Sequence, residues 1–541
     1  MGRKKSGRNM RPFYMFLNTE GMDQRSGPMV AMPTSAELVQ NMHSELIGAF
    51  SAYRQGFSRL TAQMEAGSAI DGMGWYTDDN GVDYLLAAIN GKVKNIDPAT
   101  GTITSEIATT LTAGNKPDFE VFKGYAYMAE ASISPLKWNG TGVMAATAFP
   151  LTVDSLSFDK PELCEKYSNR MVWGKFNGAT KYPSHLVISD DLLPEVCTNG
   201  TAPTDGIMVQ VSPGDGQQLV GLKTFPILTE SGSNEILLAF KTRSLYALTG
   251  DTPDTFAISL LSENAGAVNN RSIVTTANND VLWLGEDGIY SLAMASTTSG
   301  VRPVAVGSKD VRDTLATLNV NHKDKCWAVH IPERQEIWFA MPTGSNTQCD
   351  TIIVYHYPMD QKESASWIIR KNTTQTAGIV LNKELLTGDN AGYINQWFNS
   401  SKYDTTGINW IYRNHYYNFN SQAQEKQVLE LFAWFLMYGP ETMSFTTRWR
   451  GGGNNTEKTV SKTVELDSAT GSVFGAIAPP AAVFGDSTFG EGAVLKKVKI
   501  DVLGNGEQLQ LEVSGTTSDT GPIFLGYSGW VEYLGQSRSY K

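Results

Sequence analysis

The chain has 541 residues, too many for one ordinary core, so more than one domain is expected. Apolar residues make up 41% and charged residues 18%, which excludes a disordered chain, and 51 glycines with plentiful Tyr, Phe and Trp favour β structure with many turns. The net charge is −11, yet Arg3, Lys4, Lys5, Arg8 and Arg11 crowd an acid-free start; setting these five aside leaves −16, a poor non-specific binder of nucleic acid.

No run of about 18 apolar residues occurs, which excludes a membrane-spanning helix. The basic start is not followed by an apolar core, so no secretory signal is expected. Cys164, Cys197, Cys326 and Cys349 show no close pairing pattern and are expected as reduced thiols. Asn139-Gly-Thr141 and similar triplets carry no glycosylation message without a secretory signal.

Residues 1–60 read as an extended N-terminal arm. Thr34-Ser-Ala-Glu37 has the form of a capping box, and Leu38, Met42 and Leu46 follow at four-residue spacing, which predicts one short helix or turn. The arm reads as too thin to bury Phe13, Tyr14, Phe16 and Leu17 by itself, so these are expected to dock on a neighbouring subunit. Arg3, Lys4 and Lys5 are expected to meet an acidic surface there.

From 61 to 400 a strand pattern recurs in units of roughly 40 to 50 residues. Tyr84–Ile89 and Lys92–Ile96 form a hairpin across Asn90-Gly91. Phe119–Phe122 and Tyr125–Met128 form another, and Arg170–Trp173 with His185–Ser189 a third. Leu219–Leu222, Glu235–Phe240 and Ser244–Leu248 follow. Next comes Gly266–Leu292, in which Val281-Leu-Trp-Leu284 is a wholly apolar strand. Such a strand needs cover on both faces, so its sheet must stack among others. Its partner Ile289–Leu292 returns through a turn at Glu286-Asp287-Gly288, where Gly288 is expected at positive φ. Val311, Leu315 and Leu318 predict a short helix. Two more units span Cys326–Ile369 and Gly378–Trp397. Recurring short-strand units predict an all-β chain whose 61–400 region is a β-propeller of about six to seven blades; two β-sandwiches are the other arrangement considered. Residues 401–541 read as a C-terminal β-sandwich-like domain, with strands at 427–437, 443–450, 494–503 and 508–513 and a Gly, Ala and Pro-rich stretch at 471–490.

Candidate chemistry is sparse. His322, Cys326 and His330 have helical metal-ligand spacing, but Trp327–Ile331 reads as a strand, on which residues four apart lie about 13 Å apart. Asp190, Asp191 and Glu195 could supply the paired carboxylates of glycoside chemistry, although adjacent strand residues face opposite ways. His356 reads as a polar core or interface group. No phosphate loop, nucleophile elbow or zinc pattern occurs, so the chain is expected not to be an enzyme, and no catalytic, cofactor or metal site is expected.

Gly266-Ala-Val-Asn-Asn-Arg-Ser-Ile-Val274 with Asp280-Val-Leu-Trp-Leu-Gly-Glu-Asp-Gly-Ile-Tyr290 resembles the signature hairpin of tail nozzle proteins, also called packaged-DNA stabilisation proteins, of short-tailed bacteriophages. The order of features is similar too: an arm reaching Tyr53-Arg-Gln-Gly56, the recurring units, a helix after the signature, and a strand-rich end at Gly535-Gln-Ser-Arg538. The resemblance implies a virion protein of the tail, made in the bacterial cytoplasm. It implies a homo-oligomeric ring, usually a hexamer, below the portal and adaptor proteins. The ring would adjoin the tail needle, fibre or spike proteins. Double-stranded DNA would be retained by it and then pass through its lumen without sequence-specific binding. An acidic body suits a tube through which DNA slides. The rival reading is a propeller-type tail protein that binds or hydrolyses glycans.

Overall fold

The structure, a computed structural model, describes residues 10–17, 22–24, 35–46, 49–229, 232–276, 280–292, 303–307, 310–357, 366–419, 421, 424–451, 458–466, 494–500, 502, 504–517 and 521–536. The chain is all-β. Seven sheets of four or more strands, antiparallel within residues 70–400, follow one another along that stretch. They begin with the strands Ile70–Thr77, Asp118–Phe122, Pro161–Tyr167, Leu219–Thr229, Ile273–Thr275, Trp327–Ile331 and Gln375–Leu381. Each of these first strands packs against the first strand of the next sheet, and Gln375–Leu381 packs back against Ile70–Thr77. The seventh sheet takes its fourth strand, Gly56–Arg59, from the N-terminal region. Gly56 is needed there, because a Cβ would meet the Lys402 carbonyl oxygen at 2.0 Å.

Local sequence explains these sheets. The Asn90-Gly91 turn has φ of 49° and 76°, the double left-handed geometry that matches strand twist. Second strands hold apolar runs buried on both faces where neighbouring sheets cover them, as at Leu85–Ile89 and Ile337–Met341. Apolar clusters fill the gaps between successive sheets, and one joins Leu85 and Ile89 of the first to Leu386 and Ile394 of the seventh. Val281, Trp283, Leu284 and Ile289 are fully buried, as the apolar run predicts. One turn of helix, Arg312–Leu315, lies where the spacing of Val311, Leu315 and Leu318 puts it.

Leu151–Val153 pairs with Leu156–Phe158 in a separate two-stranded sheet, Lys402–Tyr403 and Thr406–Gly407 extend the seventh sheet, and two larger sheets hold the other strands. The sixth sheet continues through Ala36–Gln40, Asn409–Asn414, Gln508–Thr516, Glu441–Arg450 and Lys458–Leu466 into nine strands. The other, termed the outer sheet, runs His43–Leu46, Ala49–Ser51, Ile523–Gln536, Gln424–Met437 and Val494–Ile500, with Met10–Phe16 also pairing with Ile523–Gln536. Phe435 meets Phe445 at 6.1 Å and Phe524 meets Tyr412 at 5.2 Å, so the two sheets share a core.

Three expectations are corrected. The helix expected after Thr34 is instead two strands, Ala36–Gln40 and His43–Leu46. Pairing with Asn409–Asn414 and burial of Val39 and Met42 outweigh the local capping signal. The arm also buries its own apolar residues. Phe13, Met15 and Leu17 lie inside, Phe13 edge-on to Phe419 at 5.0 Å, while Tyr14 between them is 65% exposed. Period-two alternation on a paired strand does this without a second subunit. Residues 10–51 therefore share their sheets with 409–536. Finally, Gly288 is outside the left-handed region, and the constrained glycine of that turn is Gly285, where a Cβ would meet the Tyr290 ring at 2.8 Å.

A buried polar knot ties the N-terminal region to the sixth sheet. His43 Nδ1 lies 2.7 Å from Glu336, which also accepts from Trp338 Nε1 at 2.7 Å. Arg370 donates to the Gln55 carbonyl at 2.9 Å and to its side chain at 2.7 Å, and lies over the Trp338 ring at 4.8 Å.

Candidate functional site

Asn269, Asn270 and Arg271, the centre of the signature segment, form a polar hub where the first strands converge. Asn269 accepts from Ser272 N and donates to the Lys323 and Cys326 carbonyls at 2.8 and 2.9 Å. Asn270 accepts from Leu222 N and donates to Asp118 at 2.9 Å, joining the fourth and second sheets. Arg271 donates to the carbonyls of Asp71 at 3.1 Å and Thr376 at 3.2 Å, in the first and seventh. Asp71 also binds Lys116 at 2.5 Å, and Glu165 binds Lys223 at 3.2 Å. Burial, then Glu165, pushes Glu120 up to about 8, and burial pushes Asp118 up to about 7. Perturbed carboxylates can mark reaction centres, but here they lie among charges that join neighbouring strands. The Cys164 thiol beside them is pushed far above its usual value by burial, then by Asp118 and Glu120, the opposite of a nucleophile's need. Arg271→Gln, which loses a charged donor to buried carbonyls, is expected to lower stability by about 2 kcal/mol. A thermal melt checks this.

The other sequence candidates do not converge. His322 lies in a 3-10 turn, while His330 sits on the strand Trp327–Ile331 and contacts the Tyr357 hydroxyl at 2.8 Å. Cys326 is buried at the turn's end. Asp190 is buried, accepting from Thr198 N at 2.8 Å and Gly206 N at 2.6 Å. Glu195 accepts from Lys137 at 2.5 Å and Ala148 N at 2.9 Å. Each carboxylate thus organises a loop. The His356 ring packs 6.1 Å from that of His43.

Among the assembly candidates, Arg3, Lys4 and Lys5 lie outside the described residues, as does the Phe16 side chain, and Phe13 is internal. Tyr14 is the one whose described side chain reaches solvent, and it opens onto a surface that sequence reasoning missed. Directly paired residues of antiparallel strands share a face. Pro12 pairs with Trp530 and Tyr14 with Ser528. Ser528 pairs with Phe432, Phe432 with Lys499, and Trp434 with Lys497. The solvent side of the outer sheet therefore carries aromatic rings edged by Lys497 and by the ion pair of Lys499 with Glu430 at 3.0 Å. Tyr14 and Trp530 are 65% and 44% exposed, and Leu495 at the edge is 55% exposed. Trp434 Nε1 donates to Ser528 at 2.8 Å, and Lys497 lies 3.9 Å over the Phe432 ring. The signal was the run Leu431-Phe-Ala-Trp-Phe-Leu436, whose two faces are both apolar; Leu431, Ala433 and Phe435 are buried, while Phe432, Trp434 and Leu436 are half-buried.

Neither a family model nor a curated protein matches the chain. Solved structures similar to it include the computationally designed Ika8 protein, at 12% identity and TM-score 0.36 over 63% of this chain and 99% of that one. BamB from Moraxella catarrhalis is similar at 14% identity and TM-score 0.34, over 64% of this chain and 90% of BamB. The WD40 β-propeller domain of Doa1 is similar at 8% identity and TM-score 0.40, over 63% of this chain and 97% of that domain.

Proposed function

We propose that the chain is a nozzle-type structural protein of a short-tailed phage virion, assembling as a homo-oligomeric ring below portal and adaptor. The ring retains packaged double-stranded DNA and passes it on ejection, and the chain has no enzymatic role. The region 61–400 is a seven-bladed propeller closed by Gly56–Arg59. The observation that carries this reading is the place of the signature segment. Its Asn269-Asn270-Arg271 run binds partners in the first, second, fourth and seventh sheets, so the resembling residues are those that hold the blades around one axis. The exposed Trp530 and Leu495 on the outer sheet support assembly. The charge supports a DNA path: residues 61–400 hold 37 acidic and 24 basic side chains, a net charge of −13.

The test mixes the full chain with the phage's adaptor–portal complex and images the product. A ring seated below the adaptor is expected, and a chain that never binds rejects the reading. Deleting residues 1–9 removes the basic tip and leaves the strand Met10–Phe16 intact. Weaker docking of this form is expected; equal docking removes Arg3, Lys4 and Lys5 from assembly.

One cleft favours the glycan-binding reading as second choice. It encloses about 480 Å³ and is lined by Asn41, Arg59, Thr373, Asp389 and Asp404. The Thr373 hydroxyl is buried there without a hydrogen-bond partner, and Arg59 pairs with Asp404 at 3.2 Å. Saturation-transfer NMR against a panel of monosaccharides tests it: a signal abolished by Asp404→Asn supports the cleft, and no signal rejects it.

A further inference from the structure

Asp118 and Glu120 stand two residues apart on the first strand of the second sheet. Their cross-strand partners are Ala129 and Tyr127, which pack with Cys164 between the second and third sheets. Directly paired residues share a face, so both carboxyls lie on the side towards the third sheet. Asp118 accepts there from Cys164 N at 3.0 Å, and from Asn270 of the signature segment at 2.9 Å. Glu165, on the first strand of the third sheet, accepts from Thr224 N at 2.8 Å and pairs with Lys223 at 3.2 Å. Three carboxyls from two sheets therefore meet one ammonium, which the fourth sheet supplies.

The donors are shared unevenly. Lys223 binds Glu165, and Asp118 has two N–H donors. The Glu120 carboxyl accepts only the N–H of Val121, at 3.1 Å, and has no ion pair among the described residues. The other charged and titratable groups around this strand are engaged elsewhere. Lys116 pairs with Asp71 at 2.5 Å, Arg271 donates to the Asp71 and Thr376 carbonyls, and Tyr127 reaches Glu195 at 3.4 Å. The Cys164 thiol, buried against the Asp118 carbonyl, brings no positive charge. Nothing offsets a charge on Glu120, and like charges in a confined space favour a retained proton. Burial, then Glu165, raises Glu120 to about 8, and burial raises Asp118 to about 7 against the Cys164 N–H. Both side chains are half-buried, so protons can reach them.

We propose that this convergence is a proton-operated joint: a protonated Glu120 lets the second sheet rest against the third and fourth, and its ionisation loosens them. The effect reaches the signature segment, because Asn270 ties Asp118 to Leu222 N and loses one anchor when the joint opens. The sign follows from linkage. The unfolded chain gives up these protons near the ordinary values of 4.5 and 3.8, while the folded chain keeps them to about 8 and about 7. The stability contributed by the joint is fully present below 3.8 and is lost as pH rises towards about 8.

The experiment compares the full chain with Glu120→Gln, whose amide fixes the uncharged form, by urea titration from about pH 5 to about pH 9. The folding equilibrium of the parent is expected to weaken against that of the variant by up to about tenfold per pH unit, the slope of one retained proton. Alkylation of Cys164, read by mass spectrometry as the ratio of parent to variant, is expected to rise over the same range, which puts the loosening at this joint. Lys223→Gln removes the one ammonium and is expected to move the window to higher pH. Parallel stability profiles for the parent and Glu120→Gln, or a Cys164 ratio that stays flat with pH, overturn the joint. Should Glu120→Gln fail to fold, an unmoved window in Lys223→Gln overturns it instead.

Discussion

Trp283→Ala is expected to destabilise the chain by about 3 to 5 kcal/mol. The ring is fully buried, edge-on to Phe240 at 5.1 Å and stacked with Tyr290 at 5.7 Å. It lies in a cluster with Phe225, Leu238 and Leu245 of the fourth sheet, so truncation opens a void between two sheets. The indole N–H also donates to the Gly266 carbonyl at 3.2 Å, which loses its partner. Trp283→Phe keeps most of the volume and loses that bond, so a smaller loss of about 1 to 2 kcal/mol is expected. Trp530→Ala is the contrast: the side chain is 44% exposed, and a change within about 0.5 kcal/mol is expected in the monomer. Urea titrations followed by tryptophan fluorescence read all three. Equal midpoints for Trp283→Ala and Trp530→Ala would show that the fifth sheet does not contribute to the cooperative core.

The repeating sheets were legible because one period dominates each strand and left-handed turn residues separate them. Asn90-Gly91 is such a mark, and Val281-Leu-Trp-Leu284 announces a strand covered twice. The signature segment was also found, yet what Asn269, Asn270 and Arg271 do was not. Their partners lie as far away as Asp71 and Thr376, and no local pattern encodes a bond across about 100 to 200 positions. The same distance hid the fate of the N-terminal region. A strand such as Met10–Phe16, with a Pro and two Met, has little propensity of its own and is made by its register on Gly526–Glu532. The aromatic face was missed because a run apolar on both sides predicts burial on both sides, whereas alternate residues of this strand are only half-buried.

Glu336→Ala is expected to cost about 3 to 5 kcal/mol, because it strands buried positive charge in the knot between the N-terminal region and the sixth sheet. Burial pushes the Glu336 carboxyl up, but His43, Arg334 and Arg370 pull it down further, so it lies far below the usual carboxylate range. Burial pushes the His43 imidazole down to about 4 against the opposing pull of Glu336, so at neutral pH it is uncharged and donates Nδ1–H to the carboxylate. Both shifts have the same consequence for stability. The unfolded chain takes up a proton at His43 as pH falls through the ordinary histidine value of 6.5, while the folded chain resists until about 4, so folding weakens across that window. The ionised form of Glu336 adds stability above the ordinary glutamate value of 4.5, and this is lost as pH falls below it. The contribution of this knot is therefore expected to be flat above pH 7 and to fall towards pH 4, while the raised Asp118 and Glu120 act in the opposite direction, so it is read as the difference in urea stability between the parent and the His43 variant across that range. His43→Gln keeps a hydrogen-bond donor and removes the titration, so its profile is expected to be flatter between 6.5 and 4.5 than that of the parent. Two identical profiles would mean that His43 does not link protons to folding, and an unchanged midpoint for Glu336→Ala would remove the knot as the tie that holds the N-terminal strands to the sheets.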